Sequence, residues 1–126
     1  MARATKVSIL PAVAALAALF IVLPTRSGDA TVAIAGAGGE WRFEPAQVTI
    51  ASGQLVAFRN ETRVTHTADC VGCPWRSGDI QPGQTRLVAF DEDATFEYRC
   101  RYHPDVLVGR LTVGEGGPLP VPDATG

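Results

Sequence analysis

Two histidines and three cysteines are the residues in this chain whose types and spacing could do metal chemistry. Cys100 and His103 form a C-x-x-H turn inside "CRYHPDVLVG", while His66, Cys70 and Cys73 lie together upstream. One thiolate with two imidazoles is the donor set of a trigonal copper centre: the soft sulfur favours Cu(I), the imidazoles suit Cu(II), and a shape between the two preferences allows one-electron exchange. Such a centre takes two ligands from one loop and a third from a distant strand, which makes His66, Cys100 and His103 candidate equatorial ligands.

The cysteine pair "CVGC" admits three readings. Cys70 and Cys73 can close a small disulfide, as an exported chain allows, leaving Cys100 as the free thiol. They can remain a thiol pair that handles Cu(I) or senses redox state. They can also join Cys100 and His103 in a Cys3His zinc site, although the 26-residue gap between the pairs is long for a zinc ribbon and His66 would then have no role. A thioredoxin-like role finds no surrounding βαβ pattern.

The elements that must hold these residues are strands. Short β-branched and aromatic runs at 31–35, 47–50, 55–60, 64–68, 86–90, 95–100 and 109–113 alternate with Gly-, Pro- and Ser-rich turns, and no stretch after Thr31 keeps a helical period. Phe96, Tyr98 and Cys100 share one face of their strand. Seven to eight such strands predict an all-β, Greek-key antiparallel sandwich. Trp41 and Phe43 are expected to fill one end of it. Asp91, Glu92 and Asp93 read as a solvated acidic turn, and exposed Arg99 and Arg101 as residues able to meet an acidic partner.

Residues 1–30 read as a signal peptide or an N-terminal membrane anchor: Arg3 and Lys6 precede an apolar run from Val7 to Leu23, and Gly28 and Ala30 offer a small-residue cleavage site. The chain is therefore expected outside the cytoplasm: periplasmic, extracellular or attached to the outer face of the cytoplasmic membrane. A single domain over 31–114 and a Gly/Pro-rich tail over 115–126 follow. From Thr31 onward, eight arginines and no lysine face twelve carboxylates, so there is no basic stripe for nucleic acid. No Ser-His-Asp order or carboxylate pair supports hydrolysis, and no enzyme activity is expected.

In "FEPAQVTIASGQLVAFRN", "VTHTA", "SGDIQPGQT", "FEYRCRYHP" and "VGRLTV", in this order over roughly 41–113, the chain resembles the cupredoxins of the plastocyanin, amicyanin and azurin type. The resemblance implies a β-sandwich holding one copper ion that cycles between Cu(I) and Cu(II). His66 would be the buried upstream ligand; Cys100 and His103 would be the loop ligands, with His103 reaching the surface where redox partners dock. Thr67 would bond across to the cysteine loop, and Pro104, Val106 and Leu107 would form an apolar collar around His103. A monomer is expected.

The departure from the family lies at the axial place. The family usually has methionine two residues before the closing glycine, and here Gly109 puts Leu107 there; counting from short-loop members gives Val106. Neither side chain can bind copper, and Met1 is the only methionine. The axial bond is then absent or comes from a backbone carbonyl, with Thr65 the candidate, and the reduction potential should be raised. One-electron transfer is the implied function. The alternatives are an exported copper chaperone or storage module using the C-x-x-C, a zinc-stapled domain, and a metal-free interaction sandwich.

Overall fold

The computed structural model describes residues 28–121; the proposed leader up to residue 27 and the last five residues lie outside them. Within this span the chain is all-β, with eight strands: β1 (Ala30–Ala37), β2 (Glu40–Glu44), β3 (Gln47–Ile50), β4 (Gln54–Asn60), β5 (Asp69–Cys70), β6 (Thr85–Phe90), β7 (Ala94–Arg99) and β8 (Val108–Val113). They form two four-stranded sheets, ordered β2-β1-β4-β6 and β3-β8-β7-β5.

The sandwich is as expected, but its sheets are mixed and not wholly antiparallel. β1 runs parallel to β4, and β3 parallel to β8. The cause lies at Pro45, which has no N–H to donate and so marks the point where the chain leaves the first sheet after β2. β3 joins the second sheet, and the turn at 51–53 returns β4 to the first, beside β1 and in the same direction.

Period-two burial builds the core between the sheets. Val32 and Ile34 of β1, Val56 and Phe58 of β4, and Leu111 and Val113 of β8 are fully buried. Tyr98 packs edge-on against Phe43 and Phe58, at ring separations of 4.8 and 5.4 Å. Tyr98 and Cys100 share the inward face, with Phe96 partly buried on the same side.

One further expectation needs correction. Residues 64–68 form no strand; their ladder is reduced to a single bridge between His66 and Ile80. The acidic turn is exposed as expected, and its Asp93 Oδ2 accepts the Glu115 N–H. At the start of the Gly/Pro-rich tail, Gly117 N–H donates to Thr95 Oγ1, tying the chain back onto β7. At the other boundary, Asp29 N–H bonds to Leu55 O, and Ala30 is already in register with Val56.

Candidate metal centre

One end of the sandwich gathers the loop after β4, the loop after β7 and the hairpin strand β2. The loop after β4 is organised by Asn60, which is fully buried. Its Nδ2 donates to Val64 O and Ile80 O, at 2.7 and 2.8 Å, and its Oδ1 accepts from Thr62 N and Oγ1. The same Ile80 exchanges backbone hydrogen bonds with His66, so the imidazole is delivered from a segment clamped on both sides.

Cys100 and His103 come from the tight turn that leaves β7. His103 N–H donates to Cys100 O, Leu107 N–H to His103 O, and Cys100 N–H to Leu107 O, folding the loop back on itself. Cys100 Sγ then lies 3.7 Å from His66 Nδ1 and 3.8 Å from His103 Nδ1. The three donor atoms all fall within 4.8 Å of one another, and this is the only such His/Cys/Asp/Glu group of three or more among the described residues. His66 and Cys100 are buried, and His103 is half-buried.

The surroundings hold the sulfur and keep the imidazole neutral. Thr67 N–H donates to Cys100 Sγ at 3.3 Å, and Thr67 Oγ1 accepts the Arg101 N–H at 2.9 Å, so Thr67 does bridge to the cysteine loop. Burial, reinforced by the charge of nearby His103, lowers the His66 pKa to about 4. The ring is therefore unprotonated at neutral pH, with a lone pair free for a metal. Nδ1 is the ring nitrogen turned to the sulfur, and Nε2 is buried without a hydrogen-bond partner among the described residues. One soft sulfur and two imidazole nitrogens converging at this spacing fit a copper ion.

Cys70 and Cys73 are joined as a disulfide. That removes two thiolates from the Cys3His zinc set and from any Cu(I)-handling thiol pair, and Cys100 is the one free cysteine among the described residues. Of the two axial candidates, Leu107 is fully buried while Val106 is about half exposed, at 48%. The expected apolar collar thus divides, with Pro104 and Val106 at the surface and Leu107 in the core. Thr65, next to His66 in the chain, hydrogen-bonds through its hydroxyl to Gln81 Oε1. Arg99 and Arg101 are partly exposed and pair with Glu97 and Asp69, at 2.8 and 3.2 Å.

Sequence reasoning missed two residues here. Asn60 looked like an ordinary strand end. Trp41 does fill the end of the sandwich, but its ring also packs on both imidazoles, 4.9 Å from that of His66 and 4.3 Å from that of His103. The available signal was its i, i+2 relation to inward-facing Phe43 on one short strand.

No protein-family model matches the chain, and no curated protein matches it either. Solved structures do. A purple cupredoxin from Nitrosopumilus maritimus aligns over 68% of this chain and 100% of its own, at 25% identity and a TM-score of 0.61. A reduced amicyanin variant aligns over 71% of this chain and 85% of its own, at 20% identity and a TM-score of 0.60. A copper-containing nitrite reductase from Thermus scotoductus aligns over 76% of this chain but only 24% of its own, at 22% identity and a TM-score of 0.62.

Proposed function

We propose that this chain, whose fold is that of the cupredoxins, is an exported type 1 copper protein that passes single electrons between redox partners and turns over no substrate of its own. One observation carries the reading: His66 Nδ1, Cys100 Sγ and His103 Nδ1 lie within 4.8 Å of one another at the loop end of a packed sandwich. Copper bound there supplies one-electron cycling between Cu(I) and Cu(II). The chain's part is to keep the three donors in place in both states. Half-buried His103 is the ligand nearest solvent and the side on which partners dock. Residues 1–30 serve as export signal or anchor, and the folded unit acts as a monomer.

Burial favours Leu107 over solvent-facing Val106 for the axial place. Without a thioether the oxidised ion lacks a donor that it needs more than the reduced one, so the potential is raised. The Cys70–Cys73 disulfide weighs against a chaperone or storage role that would use those thiols.

Titration with Cu(II), followed by visible and electron-spin spectra, tests the centre. One equivalent should produce an intense thiolate-to-copper band that Cys100→Ser abolishes; a colourless one-to-one product would reject the centre. Voltammetry tests the axial assignment: Leu107→Met should lower the potential, and an unchanged or higher value would reject it.

A further inference from the structure

Trp41 stands outside the donor set, yet it contacts both of its imidazoles. Trp41, His66 and His103 form a cluster of three mutually packed rings: the indole meets His66 at an interplanar angle of 67° and His103 at 51°, and the two imidazoles are 5.1 Å apart. The His66 ring that meets the indole edge-to-face is the one whose Nε2 has no hydrogen-bond partner. Trp41 is itself partly buried against the core.

The backbone is shaped to bring the indole there. Trp41 is in register with Gly36 across the β1–β2 pair. Gly36 has φ of +110°, and a Cβ at that position would overlap Glu40 O and come within 3.0 Å of Trp41 Cα. Only glycine combines that dihedral with so close an approach. Phe43, two residues on and fully inside, pins the same face of β2 against Tyr98. The hairpin is thus anchored at its inner end and presents Trp41 over the two histidines.

From this geometry we propose that Trp41 is the lid of the metal centre, a positioning residue that holds both imidazoles and keeps small exogenous ligands and water away from the donors. A centre with leucine at its axial place has no strong donor to fill the metal's remaining valence, and an incoming anion could do so. The indole closes the approach past the two histidines. This rests on the copper reading above for its meaning but is tested in two ways, one of which needs no metal.

In the metal-free protein, diethylpyrocarbonate should carbethoxylate His103 several-fold faster in Trp41→Ala than in wild type, with Trp41→Phe close to wild type. In the Cu(II) protein, azide titration read from the thiolate band should show binding at least about tenfold tighter in Trp41→Ala, the equivalent of about 1.4 kcal/mol, with Trp41→Phe again restoring resistance. Circular dichroism establishes that each variant keeps the sandwich. Equal modification rates and equal azide affinities in wild type and a folded Trp41→Ala would overturn the lid. Faster modification together with no thiolate band in wild type would support the lid over the histidine pair and reject the copper reading alone.

Discussion

Replacing Asn60 tests whether the loop that delivers His66 is held by a polar anchor or merely by packing. In Asn60→Ala the Nδ2 bonds to Val64 O and Ile80 O disappear, as does the acceptor for Thr62 N–H. Three of the groups left behind keep a partner: the Thr62 hydroxyl, whose single proton lies between Asn60 Oδ1 and Val64 O, turns to Val64 O and satisfies it, and Ile80 O still receives His66 N–H. Thr62 N–H loses its Asn60 Oδ1 acceptor. Three lost bonds at about 1 kcal/mol each predict a loss of about 3 kcal/mol. For a domain of this size that lowers Tm by about 12–24 °C. Asn60→Asp separates the two explanations. Its shape is nearly that of asparagine, so a packing account makes it the milder change. The polar account makes it the worse one at pH 7, because a buried carboxylate oxygen would face two carbonyl oxygens where the NH2 group donated. Its stability should then recover on acidification, as the protonated carboxyl regains a donor. Urea denaturation of the metal-free variants at pH 7 and pH 5 decides between them, and an Asn60→Asp protein more stable than Asn60→Ala at pH 7 would refute the reasoning.

Two further outcomes follow from the site. The His66 pKa of about 4 lies below the ordinary 6.5, so the unfolded chain takes up this proton first as pH falls. Stability of the metal-free protein from this group should be complete above about pH 6.5, decline between 6.5 and 4, and level off below 4, a change of about 3 kcal/mol; urea midpoints across that window should lose this component in His66→Gln. Gly109→Ala should cost about 2 kcal/mol and shift the thiolate band, because the new Cβ would lie 2.6 Å from Tyr98 Oη and Tyr98 is two residues from Cys100; an unchanged urea midpoint in the metal-free variant would show that Tyr98 moves aside freely.

What the sequence revealed of the site follows the range of the interactions concerned. Cys100 and His103 are separated by one turn, so their partnership is a local fact, and with only two histidines in the chain the third donor was almost forced. Period-two alternation likewise exposed most strands. The errors arose where a backbone group bonds to a distant side chain. Val64, Thr65 and Thr67 have strand-forming side chains, yet Thr67 N–H goes to Cys100 Sγ and Ala68 N–H to Ser77 Oγ, which leaves no ladder for residues 64–68 to join. Trp41 was placed correctly at the end of the sandwich, but its contact with the imidazoles depends on β2 closing over loops 20 and 60 residues away. The parallel β1–β4 pairing had no local signature at all, because it results from where β3 goes.

The polar links around the donors favour the proposed electron exchange over metal transport. A carrier must give up and recover an electron without relocating its ligands, since each displacement adds to the barrier. His66 is fixed by paired backbone bonds to Ile80, Cys100 by bonds from Thr67 N–H to its sulfur and from its own N–H to Leu107 O, and the two ligand loops are joined directly by the Arg101–Thr67 bond. β5, which continues from Thr67, is in turn paired with β7 and stapled at Cys70 by the disulfide. The Cys100 sulfur therefore sits where restraints from both loops meet, and moving it would require breaking several of them together. A module that releases its ion to a recipient needs the opposite, a donor able to swing out. Within this loop cluster the freedom that remains is concentrated at half-buried His103, the ligand that faces solvent and Trp41.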